Sequence, residues 1–269
     1  MSNYAILDYD GYICKSWYAS FANGNMDDAT EILNKLENAA IEKAYNYYDG
    51  QLDGIIKVVS GHSWKKDLYD SYKATRERNP YIGAYRDALL ESSDDIIKPE
   101  SLEADELCIM LHDYLFHDNN SCIIFSDDKD IHYTTLIHCK INLTEQIDFV
   151  YDEKYLLYQC LAGDKEDNIG GIAKVGMKTA EKLLKDKEPE LSSVVQIYKD
   201  KNISAQECEK NLNLIIPMTY KFNDNQASYR KVCHTLLEDN TIDEYAAKNC
   251  QKGQLEYLSQ VIGGVYNDK

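Results

Sequence analysis

The chain has no apolar run long enough to span a bilayer and no N-terminal stretch pairing basic residues with an apolar segment. A soluble, intracellular protein is therefore expected, with no membrane partner. It has no CxxC pair either. Its eight cysteines (14, 108, 122, 139, 160, 208, 233 and 250) are scattered, and Cys122 sits inside the apolar run Ser121–Phe125. A zinc site or disulfide framework is thereby unsupported, and buried free thiols in a reducing cytoplasm are expected. There is no internal repeat, low-complexity tract or obvious linker, which argues against a repeat array. Positive charge is scarce: 29 Lys and Arg stand against 46 Asp and Glu, for a net charge of −17. Taken over the whole chain, that balance disfavours a nucleic-acid partner.

The distribution of charge softens that exclusion. Residues 57–88 carry seven basic groups (Lys57, Lys65, Lys66, Lys73, Arg76, Arg78, Arg86) against four acidic ones, a local excess of +3. Acids clustered around metal ions would alter the local sign further. A length of 269 residues and 44% hydrophobic content suffice for one large or two modest domains with ample core. Tyr4–Leu7 reads as a buried strand ending at Asp8, 27–48 as a helix, and Gly54–Val59 as a second strand ended by Ser60-Gly61-His62-Ser63. Asn79-Pro80 breaks the chain before a helix over about 81–90, and another is expected over 103–115. Ser121–Phe125 is β-rich and runs into Asp127, Asp128 and Asp130. From Asp152 the pattern turns helical, with helices over 152–161 and near 191–199, 204–212 and 242–249. Alternating strands and helices imply an α/β fold with a mainly parallel sheet, flanked by helices and followed by a helical C-terminal part. Sites in such sheets lie at the carboxyl ends of the strands.

Two features carry chemistry. The first is GDKEDNIGGIAKVGMKTAEKLL, residues 163–184. Asp164 and Asp167 precede a glycine-punctuated turn (Gly170, Gly171, Gly176), and a basic helical run opens at Lys178-Thr179. Glycine lets backbone approach a phosphate, and the following helix N-terminus favours the anion. The second is a set of carboxylates delivered by separate elements: Asp8 (with Asp10 equally eligible), Glu103, Asp105, Glu106, Asp128, Asp130, Asp164 and Asp167. Hard oxygen donors suit a pair of magnesium ions, which activate water and stabilise a leaving oxygen in phosphodiester hydrolysis. Each group alone has a simpler reading: Asp8 as a turn residue, 103–106 as acids in a helix's first turn, 126–130 as a solvated charge run.

In order, these motifs resemble a known family. Asp8 after strand one, the basic segment Tyr72-Lys73-Ala74-Thr75-Arg76, Glu103-Ala104-Asp105-Glu106, Ser126-Asp127-Asp128-Lys129-Asp130 and Gly163-Asp164-Lys165-Glu166-Asp167-Asn168-Ile169 resemble the flap endonuclease/5′-nuclease superfamily. Within it, the chain is similar to the short 5′→3′ exonucleases of tailed phages and the 5′-nuclease domain of bacterial DNA polymerase I. The resemblance runs from Asp8 to about Ile215.

It implies a magnesium-dependent, structure-specific 5′→3′ DNA exonuclease with flap endonuclease activity, or a catalytically impaired DNA-binding member of the same fold. Glu103, Asp105 and Asp128, with Asp8 close by, correspond to ligands of a first Mg2+. Asp130, Asp164 and Asp167 correspond to carboxylates around a second, Mn2+ being able to substitute. Lys73 and Arg76 match cations that meet the scissile phosphate. Residues 163–184 correspond to a helix–three-turn–helix that grips duplex phosphates and holds K+. Lys66, Gly171, Lys174, Gly176, Lys178 and Thr179 then join Lys73 and Arg76 as DNA contacts. The implied layout is a nuclease core over 1–151, with a short helical arch at about 64–92, and a helical DNA-binding part over 152–269. The implied partners are DNA ends, nicks and flaps, RNA–DNA hybrids, a replicative polymerase or a single-strand-binding protein, met by a monomer in a bacterial or phage-infected cytoplasm. This chain departs from the pattern where the second strand of relatives ends in Asp: here Ser60-Gly61-His62 stands, with no carboxylate between Asp53 and Asp67. The usual Gly-x-Gly also reads Lys174-Val175-Gly176.

Overall fold

A computed structural model describes residues 1–22, 28–77, 79–133, 137–143, 154–188, 190–217, 226–239 and 241–267. Asp27 and Asp152, read from the sequence as helix starts, lie outside the described residues, as do Arg78 and the 151/152 boundary. The chain forms two compact units. One comprises Met1–His62, Arg78–Tyr151 and Arg230–Glu244; the other comprises Ser63–Glu77, Asp152–Tyr229 and Tyr245–Lys269.

The first unit is built on a five-stranded, wholly parallel sheet: β1 (Asn3–Asp8), β2 (Gly54–Val58), β3 (Ile96–Ile97), β4 (Ser121–Phe125) and β5 (Ile137–Cys139). The strand order is β3-β2-β1-β4-β5. Ala5, Ile6 and Leu7 are all fully buried, as expected of a central strand covered on both faces. On one face, Ala5 and Leu7 join Tyr12 and Ile13 of α1 (Tyr9–Ala22) and Leu33, Leu36 and Ala40 of α2 (Ala29–Tyr47) in a single core. Helix α5 (Ala104–His117) packs against β1, β2 and β4, burying Leu107, Cys108 and Leu111. Between them in sequence come α3 (Trp64–Leu68), which belongs to the second unit, and α4 (Pro80–Ser92). Asn79 caps α4 by accepting the Tyr81 N–H, and Pro80 occupies the first turn. No residue of α4 is fully buried; Ile82, Tyr85 and Leu89 are only partly covered by the core.

The second unit is helical: α6 (Tyr155–Ala162), α7 (Met177–Leu184), α8 (Leu191–Asp200), α9 (Ala205–Ile215) and most of α11 (Glu244–Asn267). Helix α10 (Gln226–Asp239) precedes α11. The two-residue strands β6 (Gly163–Asp164) and β7 (Ile169–Gly170) pair antiparallel between α6 and α7. Gly163 is required there: its φ is +75°, and a Cβ would lie 2.4 Å from the Gly171 nitrogen. The Tyr198 hydroxyl donates to the Cys160 carbonyl at 2.7 Å and accepts from Asn211 Nδ2 at 3.2 Å, tying α6, α8 and α9 together. All eight cysteines are free and seven are buried, as the scattered spacing implies. No helix among the described residues is long and apolar enough to cross a membrane.

Beyond β2, Gly61 donates its N–H to the Leu102 carbonyl at 2.8 Å, and a Cβ at Gly61 would fall 1.9 Å from the Pro99 carbonyl oxygen. The approach to α5 is therefore closed to any side chain here. Gly61→Ala is expected to destabilise the protein by roughly 2 kcal/mol or more through overpacking against backbone, measured by chemical denaturation.

Candidate metal centre and nucleic-acid interface

Strand order places the reversal of connection direction between β1 and β4, where open α/β sheets bind their ligands. Asp8 ends β1, and Ser126–Asp130 follow β4. Asp8 is buried and accepts a 2.7 Å hydrogen bond from the Ser126 hydroxyl. That same oxygen accepts the Asp128 N–H at 3.0 Å, and Asp128 in turn accepts the Asp130 N–H at 2.8 Å. These local bonds fold 126–130 into a turn that presents Asp128 and Asp130 together. Asp105, in the first turn of α5, completes the group: carboxylate oxygens of Asp105, Asp128 and Asp130 lie within 4.8 Å of one another.

Electrostatics mark this site as one that favours a bound cation. Burial pushes the Asp8 carboxyl up to about 7, with Asp10 and Asp105 adding repulsion against the lowering effect of Ser126. Burial, then the charges of Asp130 and Asp105, push Asp128 well above the usual carboxylate range. An oxygen-only donor set with strained ionisation fits a hard divalent cation, whose charge would hold these groups ionised.

The other first-unit acids singled out from the sequence lie outside that triplet. Glu103 and Glu106 are buried at the head of α5, where the Glu103 N–H donates to Glu106 Oε2 at 3.5 Å, one limb of a capping box. Neither belongs to the Asp105–Asp128–Asp130 triplet. Asp127 pairs with Lys15 at 2.6 Å and accepts the Ile141 N–H, so its role is structural. Asp10, equally eligible with Asp8 from the sequence, stands in the first turn of α1. Its carboxylate accepts the Ser60 N–H at 2.7 Å and pairs with Arg86 Nε at 2.7 Å.

In the second unit, Asp164 accepts Gln159 Nε2 at 3.1 Å and the Glu166 N–H at 2.8 Å. Asp167 is buried and engages both cations of the basic segment: Lys73 at 3.7 Å and the Arg76 guanidinium in direct contact. The Tyr72 hydroxyl donates to it at 3.3 Å. Backbone bonds stitch the two segments together, Lys73 N–H to the Asp167 carbonyl at 2.8 Å and Asn168 Nδ2 to the Ser71 carbonyl at 2.8 Å. Lys66 is partly buried; Lys174, Gly176, Lys178 and Thr179 lie at or near the surface, and Gly171 is half-buried. Lys174 in the turn before α7 and Lys178 in its first turn thus stand beside the helix N-terminus.

The chain is similar in sequence to bacterial DNA polymerases I and Xni flap endonucleases, and similar in fold to T5 5′-exonuclease. No model of a known protein family matches the chain. Among individual proteins, DNA polymerase I of Borreliella burgdorferi is 32% identical over 142 residues, 46% of this chain and 16% of the polymerase. Flap endonuclease Xni of Shewanella woodyi is 29% identical over 165 residues, 55% of this chain and 64% of Xni. Xni of Shewanella denitrificans is 28% identical over 209 residues, covering 69% and 78% of the two chains. This chain therefore spans only a small part of the polymerases it matches, and less than two thirds of the first Xni. Among solved structures, the T5 D15 protein co-crystallised with metal ions aligns with a TM-score of 0.60 at 14% identity, over 93% of this chain and 99% of its own. T5 5′-exonuclease with bound zinc aligns with the same score at 15% identity, over 95% and 99%. At these identities the structural likeness is one of fold.

Asp8 binds its proton more tightly folded (about 7) than at its ordinary value of 3.8, so its stabilising contribution is present at low pH and is lost as pH rises through about 7; Asp128 acts in the same direction. Thermal melts should show the metal-free protein losing stability as pH rises from about 4 to about 7, with an added divalent cation raising Tm far more at the higher pH. Lys174 holds a left-handed φ of +65°. Lys174→Gly should stabilise the protein by about 0.5–1 kcal/mol, relief of backbone strain outweighing the entropy of the unfolded chain, as read by urea denaturation.

Proposed function

We propose that the chain is a magnesium-dependent, structure-specific 5′→3′ DNA exonuclease with flap endonuclease activity. The observation that carries this reading is the carboxylate triplet Asp105–Asp128–Asp130 at the sheet's switch point, beside a buried Asp8 whose ionisation a bound cation would favour. The names of the relatives, DNA polymerase I and flap endonuclease Xni, support it.

Asp8, Asp105, Asp128 and Asp130 would hold Mg2+ in the first unit, with Glu103 and Glu106 shaping the α5 end that presents Asp105. Asp164 and Asp167 are assigned to a second ion. Bound divalent ions supply an activated water and offset charge at the leaving oxygen. Lys73 and Arg76 neutralise Asp167 in this structure. With substrate present they would turn to the scissile phosphate, where pre-placed cations lower the barrier. Residues 163–184 act as a helix–three-turn–helix, in which Gly171, Lys174, Gly176, Lys178 and Thr179 meet duplex phosphates, with Lys66 adding a contact and K+ binding at the turn. Recognition is of backbone shape and 5′ ends, so binding weakens steeply with salt. The short stretch between Arg76 and Glu103 favours nicked or recessed 5′ ends over long flaps. The protein works as a cytoplasmic monomer on DNA or RNA–DNA hybrids, alongside a replicative polymerase or a single-strand-binding protein. A second reading, a DNA-binding relative impaired in catalysis, rests on Ser60 standing where a carboxylate is usual.

The deciding experiment is digestion of a 5′-labelled nicked duplex with and without Mg2+. Cleavage that requires Mg2+ and drops about 100-fold or more in Asp128→Asn is expected. Tight binding with no Mg2+-stimulated cleavage in the wild type would instead establish the second reading.

A further inference from the structure

Ser60 has every polar group committed, each to a different element. Its N–H donates to Asp10 Oδ2 in the first turn of α1 at 2.7 Å. Its carbonyl accepts from the Arg86 guanidinium of α4. Its hydroxyl accepts the Ala104 N–H at the first position of α5, at 3.1 Å, between Glu103 and Asp105. Arg86 closes the circuit with a 2.7 Å bond from Nε to Asp10 Oδ1. Both charged side chains are largely shielded, Arg86 at 21% exposure and Asp10 at 29%, so the pair is screened less than a surface ion pair.

We propose that Asp10, Arg86 and Ser60 form a latch that positions α4 and the N-terminus of α5 at the acidic site. Helix α4 needs such an anchor because it buries no residue fully. Its apolar contacts through Ile82, Tyr85 and Leu89 are partial, and Arg86 is its charged tie to Asp10 at the head of α1. Arginine suits the task because its planar fork can bond the Asp10 carboxylate and the Ser60 carbonyl at once, which a lysine ammonium does less well. The same joint fixes the first amide of α5, and therefore where Asp105 stands relative to Asp128 and Asp130. Asp10 and Arg86 are thus positioning residues, and the inference rests on the metal-site reading above.

The test compares wild type with Asp10→Asn, Arg86→Ala, Arg86→Lys and the double variant Asp10→Asn/Arg86→Ala. Hydrogen exchange should speed up about tenfold or more across residues 80–92 in each disruptive single variant, while β1 and β4 stay protected. The double variant should exchange no faster than either single one, and Arg86→Lys should lie between wild type and Arg86→Ala. Mn2+ titration supplies the sharper readout. Plain electrostatics predicts opposite signs, Asp10→Asn weakening and Arg86→Ala tightening the metal; the latch predicts that both weaken it several-fold. Opposite signs, unchanged exchange in 80–92, or multiplicative effects in the double variant would each overturn the proposal. If the wild type binds no Mn2+ or cleaves no DNA, the functional reading fails, and the exchange arm still decides the latch.

Discussion

Mutual repulsion among carboxylates at the carboxyl edge of β1 and β4 is the constraint around which the first unit is arranged. Asp8, Asp105, Asp128 and Asp130 come from three elements, and no chain would gather them in a partly buried corner for stability alone. Burial and like charge raise the proton affinity of Asp8 and Asp128, so the folded state is strained when they ionise. The rest of the corner is built to hold them regardless. Ser126 bonds both Asp8 and the Asp128 amide, the 126–130 turn fixes Asp130, and the capped head of α5 fixes Asp105. A stable sheet with largely buried central strands supplies the free energy that keeps this arrangement in place.

The second unit meets the same problem in another way. Its buried Asp167 is answered by Lys73, Arg76 and the Tyr72 hydroxyl, all from a segment some ninety residues earlier. The cations expected to serve a phosphate thus already have an anionic partner, so substrate would exchange one acid for another and no bare cations need be stored. Positive φ at Lys73 and Lys174, at +52° and +65°, shows backbone strain placed in the two segments read as contacting DNA.

Much of the architecture was legible from residue patterns. Ser121–Phe125 is a strand with the bounds expected, because a run of buried apolar residues ends there at a run of acids. The helix expected over 81–90 runs Pro80–Ser92, where Asn79-Pro80 is an unambiguous start. Other elements were not visible. Helix α1 carries no clean periodicity, since its aromatic residues lie on all sides. The helix read over 242–249 continues to Asn267, through Gly253, Gly263 and Gly264, whose low propensity is overridden by burial of Gln254, Leu258 and Ile262. Strands β3 and β5 are too short for alternation to register.

By itself the sequence determined the order of acidic and basic motifs, the alternation that makes a parallel sheet, and the lack of a carboxylate after the second strand. Those are properties of local residue pattern. Only the tertiary structure decided which acids share one corner, that Glu103 and Glu106 cap a helix, that Lys73 and Arg76 rest on Asp167, and that Asp10 with Arg86 stands at the Ser60 joint. Each of these depends on where whole elements come to rest against one another, and side-chain partners across elements are set by packing, which no local spacing encodes.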